Sequence, residues 1–501
     1  MLRFGTAGLR GPLQDGPDGM NVDTVARASA GIAAWLRDRC LGGGLIVVGR
    51  DARHGSAEFA VATAEVFTAA GFSVLELPRP LPTPVLAFAV RELKAIAGVQ
   101  ITASHNPATD NGYKVYLDGG SQLVPPADAE IERCIDAVAP PIPRKSLGKL
   151  DIEAGQAIVA DYLTRLSRLP ALIGGDGPRA PIRIVLTAMH GVGGELAVAA
   201  LRSAGFDEVL VVSEQFAPDP DFPTVAFPNP EEPGAADLLL GLAERLDADL
   251  AIALDPDADR CALGVRGPDG WRMLRGDETG VLLGDFVLRT APADALVATT
   301  IVSSRLLSKL APARGARYAE TLTGFKWLAR AGEGLVYAYE EAIGHCVDPA
   351  AVRDKDGISA AVVAADLVAQ AKARDRTVLE LLDDLAVEFG VHAGDQVSLR
   401  LADVSEAAAV VARLRSQPPA EIAGEAVTCT DMAQLRGRMR TDALVFEGAT
   451  VRLVIRPSGT EPKLKCYLET VVPVADRDGL ADAKAAAAQR LSEIRDFCEK
   501  L

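Results

Sequence analysis

The feature that most constrains this chain is a pattern that recurs three times: an apolar run, a glycine-containing turn, an alanine-rich amphipathic helix and a second apolar run. The copies begin at the apolar runs 45–49, 182–188 and 295–302. Strands that alternate with helices of this length predict βαβ units with right-handed crossovers and buried parallel strands. In the first two copies, Gly71 and Gly205 follow the predicted helix, where glycine commonly ends one. The pattern therefore predicts three similar α/β domains.

The C-terminal region has a different pattern. Short apolar strands are predicted at 397–401, 451–455 and 465–470, followed by one long helix over 475–501. This grouping is typical of an α+β domain, and a length of 501 residues fits about three to four domains. The overall prediction is three mixed α/β domains with βαβ units and a smaller α+β domain, at residues 1–168, 169–275, 276–394 and 395–501.

The charge of the chain limits its partners. It carries 52 Lys and Arg against 68 Asp and Glu, a formal net charge of −16, which disfavours nucleic acid and anionic membrane surfaces as partners. A small anionic substrate is not excluded, because it responds to the local field of its cleft. The first residues lack the apolar core of a signal peptide, and no stretch approaches about 18 uninterrupted apolar residues. Seven scattered cysteines without a C-x-x-C pair complete the pattern of a cytoplasmic protein.

The sharpest local signal is the segment Asp255-Pro-Asp-Ala-Asp-Arg260, directly after the apolar strand 250–254. Three carboxylates at alternate positions can converge on one cation from a turn at a strand end. Oxygen ligands without a nearby cysteine favour Mg²⁺ over a softer metal. The glycine and glutamate that a calcium-binding EF-hand loop requires are replaced here by Arg260 and Arg266. A solvated acidic turn is the alternative interpretation.

A second signal is Thr102-Ala-Ser-His-Asn-Pro107, which follows the apolar run 95–101. Open α/β sheets bind ligands beyond the carboxyl ends of their strands, which is where Ser104 lies in this prediction. The serine does not belong to a G-x-S-x-G motif, so a hydrolase nucleophile is unsupported. Local context alone also allows an Asn-Pro turn with a capping serine.

Two further segments carry groups suited to a sugar phosphate. Arg456-Pro-Ser-Gly-Thr-Glu-Pro462 joins a guanidinium, hydroxyls and a flexible backbone in one loop, although it lacks the spacing of a Walker loop. Glu340 and Glu341 end the apolar strand 335–339 and can accept hydrogen bonds from hydroxyl groups. Taken singly, each segment can also be an ordinary surface turn. Taken together, four such segments, one in each predicted domain, indicate a cleft shared by the domains.

These four motifs resemble the α-D-phosphohexomutase superfamily, which includes phosphoglucomutases, phosphomannomutases and phosphopentomutases. TASHNP, DPDADR, EEAIG and RPSGTEP occur in the order typical of that family, and the match runs from about Phe4 to the C-terminus. The resemblance implies a heart-shaped arrangement of four domains around a central cleft. It also implies a phosphosugar mutase that interconverts hexose 1-phosphate and hexose 6-phosphate, of glucose and/or mannose, through a phosphoserine and a bisphosphate intermediate.

The resemblance also implies roles for individual residues. Ser104 would carry the phosphoryl group and, together with Asp255, Asp257 and Asp259, would bind Mg²⁺. Lys114 matches the lysine proposed as the general acid/base of the family. Arg10 and His105 are also expected to be catalytic residues. The implied substrate-binding residues are Thr323, Gly324, Lys326, Glu340, Glu341, Arg456, Ser458, Gly459 and Thr460. The implied cofactors are Mg²⁺ and glucose 1,6-bisphosphate or an equivalent sugar bisphosphate, and the expected partners are sugar phosphates alone.

Two departures from the family pattern leave the sugar open. Ala342 stands two residues after Glu340, where many hexomutases have serine, so one hydroxyl contact is missing. Ala7 and the TGFKW segment are similar to the branch that contains phosphopentomutases, which makes ribose 1-phosphate the closest alternative. A sugar phosphatase that uses the same serine and metal, and a non-catalytic sugar-phosphate-binding protein, are further alternatives. No apolar seam demands a partner, so we expect a monomer or dimer.

Overall fold

The computed structural model describes residues 2–4, 8–117, 119–148, 151–401, 403–457 and 463–501. The chain divides into two compact units, each built from two stretches of sequence. The first unit contains Met1–Pro292 and Phe325–Arg376, and the second contains Ala293–Gly324 and Thr377–Leu501. Within the described ranges, no helix combines the length and hydropathy that a bilayer span requires.

Helices and strands alternate along most of the chain. The helices are α1 (Val22–Asp38), α2 (Ser56–Ala69), α3 (Thr83–Glu92), α4 (Ala127–Asp136), α5 (Ile152–Ser167), α6 (Gly194–Ser203), α7 (Asp237–Arg245), α8 (Gly276–Leu288), α9 (Leu306–Ala313), α10 (Phe325–Leu328), α11 (Gly357–Lys372), α12 (Val378–Phe389), α13 (Val404–Ser416) and α14 (Leu480–Cys498). The strands are β1 (Leu9–Pro12), β2 (Leu45–Arg50), β3 (Ser73–Glu76), β4 (Ala97–Ile101), β5 (Asp110–Leu117), β6 (Ser121–Gln122), β7 (Ile184–Thr187), β8 (Val209–Val211), β9 (Leu250–Leu254), β10 (Cys261–Gly267), β11 (Gly270–Met273), β12 (Leu296–Thr300), β13 (Arg317–Thr321), β14 (Leu335–Glu340), β15 (Gly344–Cys346), β16 (Val391–Arg400), β17 (Glu421–Ile422), β18 (Glu425–Ala426), β19 (Thr428–Asp431), β20 (Leu444–Glu447), β21 (Val451–Pro457) and β22 (Lys463–Val472).

The first unit contains a sheet with the strand order β1-β5-β4-β2-β3, in which β6 also pairs with β5. Strands β4, β2 and β3 are parallel, and α2 and α3 connect them. Strands β5 and β1 extend the sheet in antiparallel fashion. β4 is buried at every residue, which is why its sequence is a continuous apolar run apart from Gln100. The predicted βαβ pattern accounts for the parallel part but not for the antiparallel extension.

A second sheet of the first unit repeats this plan with the order β11-β10-β9-β7-β8. β9, β7 and β8 are parallel, with α6 and α7 as the connections, and β10 and β11 continue the sheet as an antiparallel hairpin. The hairpin occupies most of the glycine-bearing stretch 267–276. β14 and β15 form another antiparallel pair in the same unit. The prediction of mixed α/β architecture is therefore confirmed.

In the second unit, β12 and β13 are parallel and α9 connects them, as the third sequence pattern predicts. The C-terminal region forms an antiparallel sheet with the order β16-β22-β21-β20-β19. Its core contains Val397, Phe446 and Leu453 from the sheet and Ile494 and Cys498 from α14. Strands with a helix on one face are the predicted α+β pattern.

The predicted C-terminal helix is too long. The sequence pattern predicts a helix over 475–501, whereas α14 runs from Leu480 to Cys498. The segment before it forms a turn, in which the backbone N–H of Gly479 donates to the side chain of Asp476 at 3.0 Å. An aspartate side chain competes with helical hydrogen bonding in this way, so the helix starts one turn later than the alanine content suggests.

Candidate active site

Ser104 lies three residues beyond the carboxyl end of β4 and is buried. Its φ of +54° is in the left-handed region, which non-glycine residues adopt only when surrounding contacts hold them there. Its backbone N–H donates to Thr102 Oγ1 at 2.9 Å, and its hydroxyl donates to Asp255 Oδ2 at 3.0 Å. The end of β4 therefore delivers a serine hydroxyl to the acidic turn that follows β9.

The acidic turn at 255–260 begins directly after β9, and its three aspartates are almost completely buried. Two glycines allow neighbouring segments to pack tightly against it. A Cβ on Gly191 would lie 2.3 Å from the Cα of Pro256, and one on Gly357 would lie 2.3 Å from the carbonyl oxygen of Arg260. Because glycine has no Cβ, these two residues avoid the clash. The backbone N–H of Gly357 also donates a hydrogen bond to the carbonyl oxygen of Ala258 at 3.1 Å. This packing rules out the solvated acidic turn.

Cations from other segments surround the three carboxylates. Lys114, on β5, donates from Nζ to Asp257 Oδ2 at 2.6 Å and to Asp259 Oδ2 at 2.8 Å. Thr83 at the start of α3 donates its hydroxyl to Asp257 as well. The burial of Lys114 opposes its charge, but Asp257 and Asp259 raise the pKa of its ammonium above the ordinary value. Lys114 is therefore a charged donor in the centre of the site.

The acidic turn fits a divalent cation. One oxygen from each of Asp255, Asp257 and Asp259 lies within 4.8 Å of the others. The Oδ1 atoms of Asp257 and Asp259 are buried and have no hydrogen-bond partner, which is costly unless another group binds them. Burial, and then the charges of Asp257 and Asp259, raise the pKa of Asp255 well above the usual range. Carboxylate oxygens alone are the donor set that hard cations such as Mg²⁺ prefer.

Lys355 is a second buried cation in this site, and the motif analysis did not single it out. It lies two residues before α11, with Nζ 3.4 Å from Asp259 Oδ2 and 3.9 Å from Glu340 Oε1. Asp354 beside it accepts hydrogen bonds from Tyr116 and Gln122, each at 2.7 Å. The signal in the sequence is the charged run 353–357, but a charged run is more often a solvated surface.

Arg10 contacts the serine loop, and His105 is part of it. Arg10 donates from Nη1 to Asn106 Oδ1 at 3.1 Å, and burial lowers the pKa of its guanidinium even though Asp257 opposes the shift. His105 has a buried Nδ1 without a hydrogen-bond partner. The charge of Arg260, then burial and Arg10, lower the pKa of His105 well below its usual range. His105 is therefore a neutral imidazole and not a source of positive charge.

The predicted sugar-binding residues of the first unit lie at the end of β14 and in α10. Burial raises the pKa of the Glu340 carboxyl, and Lys355 and Arg260 oppose the shift. Glu341 is half-buried and follows directly. Lys326 is buried in α10 with Nζ 5.4 Å from the centre of the Trp327 ring, and burial lowers its pKa to about 8. The first unit thus joins Ser104, Lys114, the three aspartates, Lys355 and Glu340 in one continuous set of contacts.

The remaining predicted residues belong to the second unit. Arg456 at the end of β21 donates to the hydroxyl of Thr323, and Gly324 beside it has a φ of +105°, which favours glycine. These three residues form one cluster that a phosphate group could join. Ser458, Gly459 and Thr460 lie outside the described residues.

Arg50 does not contact the serine loop. It lies near Glu76, where burial raises the pKa of the carboxyl and the charge of Arg50 opposes that rise. Arg53, in the same GRDAR segment, contacts the loop instead. The sequence shows both arginines, but which of them reaches the serine loop depends on how the chain turns after β2.

Comparisons with known proteins agree with this geometry. Four models of the phosphoglucomutase/phosphomannomutase family match the chain: alpha/beta/alpha domain I over residues 1–140, domain II over 160–268, domain III over 275–389 and the C-terminal domain over 400–487. A protein of Haemophilus influenzae named "Probable phosphomannomutase" is 42% identical over 90% of this chain and 93% of its own. The phosphoribomutase of Saccharomyces cerevisiae is 34% identical over 93% and 86%.

A solved structure shares the fold. The open form of pp63/parafusin, a phosphoglucomutase from Paramecium, aligns with a TM-score of 0.74 at 20% identity, over 99% of this chain and 95% of the other. At this identity the likeness concerns the fold alone.

Proposed function

Because the chain belongs to the phosphoglucomutase/phosphomannomutase family, we propose that it is a phosphosugar mutase that interconverts the 1-phosphate and 6-phosphate of glucose and/or mannose. One observation carries this proposal. A buried serine hydroxyl donates to one of three buried carboxylates, two of which have an oxygen without a partner, and a buried lysine bridges the same two. Buried carboxylate oxygens without a hydrogen-bond donor are costly unless a further group binds them, and phosphoryl transfer requires a cation and a phosphoryl group at such a position.

In this proposal, Ser104 carries the phosphoryl group. The group passes from Ser104 Oγ to a hydroxyl of the bound sugar phosphate, so that one P–O bond breaks as another forms. The resulting bisphosphate reorients and returns its other phosphoryl group to Ser104. The transition state spreads negative charge over the phosphoryl oxygens, so catalysis depends mainly on position and on nearby positive charge. Lys114 and Lys355, whose Nζ atoms lie 2.8 and 3.4 Å from Asp259 Oδ2, supply that charge.

Lys114 also moves a proton. The sugar hydroxyl that accepts the phosphoryl group loses its proton, and the oxygen that leaves the phosphorus gains one. An amine held by two carboxylates beside Ser104 is positioned for this exchange. Asp255, Asp257 and Asp259 would hold Mg²⁺, which supplies charge neutralisation at the phosphoryl oxygens when it is bound.

The substrate's own phosphate would be bound by Arg456 with Ser458, Gly459 and Thr460, and its hydroxyls by Glu340 and Glu341. Thr323, Gly324 and Lys326 would contact the sugar phosphate from neighbouring loops. A simple phosphatase does not need to grip a second phosphate, so the RPSGTEP segment favours a mutase over that alternative. The named activity of the Haemophilus influenzae relative, phosphomannomutase, supports a hexose as the substrate.

A pentose mutase is the second candidate. Ala342 offers no hydroxyl beside Glu340 and Glu341, and a smaller sugar requires fewer contacts there. The relative from Saccharomyces cerevisiae is named a phosphoribomutase. We propose cytoplasmic action on sugar phosphates, with no nucleic acid or membrane partner, by a monomer or dimer.

One experiment tests both candidates. We would compare kcat/KM for glucose, mannose, glucosamine and ribose 1-phosphates, with a trace of glucose 1,6-bisphosphate as activator and with Mg²⁺ present. A higher kcat/KM for a hexose supports the proposal, and a higher value for ribose 1-phosphate selects the second candidate. Release of inorganic phosphate from every substrate, without isomerisation, would contradict both and indicate a phosphatase.

A further inference from the structure

Arg53 is buried beneath the loop that carries Ser104, and its guanidinium binds the loop's backbone. Nη2 donates to the carbonyl oxygens of Ser104 at 2.6 Å and Asn106 at 2.5 Å. Nη1 donates to the carbonyl oxygens of Pro107 at 2.7 Å and Asp110 at 3.2 Å. One side chain thus binds three carbonyl groups of the loop 102–109 and the carbonyl of Asp110, the first residue of β5.

The guanidinium is itself held from two other directions. Its Nε lies 3.4 Å from Asp51 Oδ2, and the backbone N–H of Arg53 donates to Asp51 Oδ1 at 2.9 Å. Ser56 donates its hydroxyl to the same Asp51 oxygen at 2.6 Å. The ring of Phe222 covers the guanidinium at 4.8 Å from its centre. Such a side chain has little freedom, so the loop bonded to it has little freedom as well.

The serine loop needs an external support of this kind. Residues 102–109 form no helix or strand, so no regular ladder of backbone hydrogen bonds fixes them. Carbonyl oxygens that converge on one point repel each other unless a donor lies between them. Arginine offers five N–H groups in a rigid plane, whereas lysine offers three around a single atom. The left-handed φ of Ser104 adds a strain of about 1–2 kcal/mol that the loop must also overcome.

We propose that Arg53 is a positioning residue for phosphoryl transfer: by binding three carbonyl groups of the serine loop and the first carbonyl of β5, it fixes the direction in which the Ser104 hydroxyl points toward Asp255. This inference rests on the proposed function, because the oriented hydroxyl is the one that accepts and donates the phosphoryl group. The hydrogen bonds of the Arg53 guanidinium reach the backbone of the loop and not Ser104 Oγ, so its effect on the hydroxyl passes through the loop backbone. Its loss displaces the reacting oxygen without removing any reacting group.

The test follows one half of the reaction. Dephosphorylated protein is mixed with glucose 1,6-bisphosphate and Mg²⁺, and intact mass is recorded over time. In this step the P–O bond to the sugar breaks, a P–O bond to Ser104 Oγ forms, and the serine proton ends on the released sugar oxygen. Variation of the bisphosphate concentration separates the maximal rate constant from the half-saturation concentration. Hydrogen exchange of the amides in 102–110, without any sugar phosphate, reports the order of the loop directly.

The variants are Arg53→Ala and Arg53→Lys, with Arg27→Lys as the control. Arg27 also donates to backbone carbonyls, those of Ile135 and Asp136, but these lie at the end of α4. We expect Arg53→Ala to lower the maximal rate constant about a hundredfold, the effect typical of a reacting group displaced by about 1 Å. The half-saturation concentration stays within about threefold of the wild-type value, because no ligand contact is removed. Guanidinium ion added to Arg53→Ala restores part of the rate, and Arg27→Lys stays within about twofold of wild type.

Each other outcome has a defined meaning. Transfer at the wild-type rate in folded Arg53→Ala, a loss confined to the half-saturation concentration, or a failure of guanidinium to restore any rate would overturn the inference. If Arg53→Ala does not fold, Arg53→Lys decides: it must fold, lose rate and show faster exchange in 102–110. If the wild-type protein acquires no phosphoryl group at Ser104, the proposed function fails first, whatever the exchange data show.

Discussion

Two buried acidic sites in this protein, one in each unit, differ in how their carboxylate oxygens are partnered. In the first unit, Asp255, Asp257 and Asp259 converge behind Ser104, and the Oδ1 atoms of Asp257 and Asp259 lack a partner. In the second unit, a single buried carboxylate, Glu469, accepts hydrogen bonds at both of its oxygens.

The donors to Glu469 come from three residues. Ser304 donates its hydroxyl at 2.7 Å, Arg305 donates from its backbone at 2.8 Å and from Nε at 2.5 Å, and His392 lies at 3.0 Å. Burial alone would raise the pKa of Glu469, but His392, Arg305 and Ser304 hold it at about 2. The comparison shows that burial of charge does not identify a functional site. An excess of negative charge with oxygens left open does, because only an additional group can satisfy them.

The largest expected difference lies between the two serines that serve these clusters. Ser104→Ala should lower kcat by about 10⁴-fold or more while changing the free energy of unfolding by only about 1 kcal/mol, because it removes the phosphoryl carrier and one hydrogen bond. Ser304→Ala, the matched change in the other cluster, should reduce stability by about the same 1 kcal/mol and leave kcat nearly unchanged. Steady-state kinetics and chemical denaturation measure both. If the Ser104→Ala variant retained turnover, Ser104 would not be the phosphoryl carrier and the two serines would not differ in function.

A second pair of variants separates stability from activity at the carboxylates. Glu469→Gln should reduce the free energy of unfolding by about 3 kcal/mol, because it removes the charge that Arg305 and His392 require. Asp255→Asn should cost less than about 1 kcal/mol in the absence of metal, since it relieves repulsion from Asp257 and Asp259, yet it should lower kcat at least about a hundredfold.

The acid dependence of stability checks the same pair. Glu469 has a folded-state pKa below its ordinary value, so its contribution is present above pH about 4.5 and is lost as the pH falls toward 2. The stability difference between wild type and Glu469→Gln should therefore shrink across that range. A difference that does not change with pH would show that the carboxylate is not what stabilises the cluster.

Mg²⁺ should distinguish the two clusters with a smaller energy. At a Mg²⁺ concentration of about one hundred times the dissociation constant, the free energy of unfolding should rise by about 2.7 kcal/mol. Asp255→Asn should lose this gain and Glu469→Gln should keep it. Thermal unfolding with and without a chelator measures the effect, and an equal gain in both variants would mean that the ion binds elsewhere.

The smallest expected effect concerns Lys326, a cation outside both clusters. Burial lowers its pKa to about 8, so its ammonium is charged below that pH and neutral above it. KM for the sugar phosphate should therefore rise by about tenfold as the pH passes through 8, while Lys326→Arg, which stays charged, should keep a flat profile. If KM of the Lys326→Arg variant rose near pH 8 as it does in the wild type, Lys326 would not be the substrate-binding group that titrates there.

The parallel strands and the acidic turn could be predicted because their signals are local. The runs that became β2, β4 and β9 are apolar on both faces, and the segments after β4 and β9 carry chemistry at strand ends. The antiparallel extension by β5 and β1 could not be predicted, since it depends on pairing between distant segments. Lys114 was predicted only through the family resemblance, and its position on β5 explains how it reaches the acidic turn.

Arg53 and Lys355 are residues of the site that could not be predicted from the sequence. Each lies in a short charged segment, GRDAR and RDKDG, that is typical of a surface loop. The burial of Arg53 depends on Phe222 and on the serine loop, and that of Lys355 depends on Asp259; these partners come from distant parts of the chain. Whether a charged side chain becomes part of a buried site depends on partners from distant segments, which the local sequence does not indicate.

The acidic turn is closed by segments that are far apart in the chain, at Thr83, Lys114, Gly191 and Gly357, and this has a consequence for biosynthesis. The polypeptide leaves the first unit at Pro292 and returns at Phe325, so a ribosome must release the intervening stretch before the last wall of the site exists. We therefore expect stalled nascent chains that end before Lys355 to bind Mg²⁺ weakly, and chains that extend beyond α11 to gain full affinity. The acidic turn and the residues around it are therefore among the last parts of the first unit to be completed.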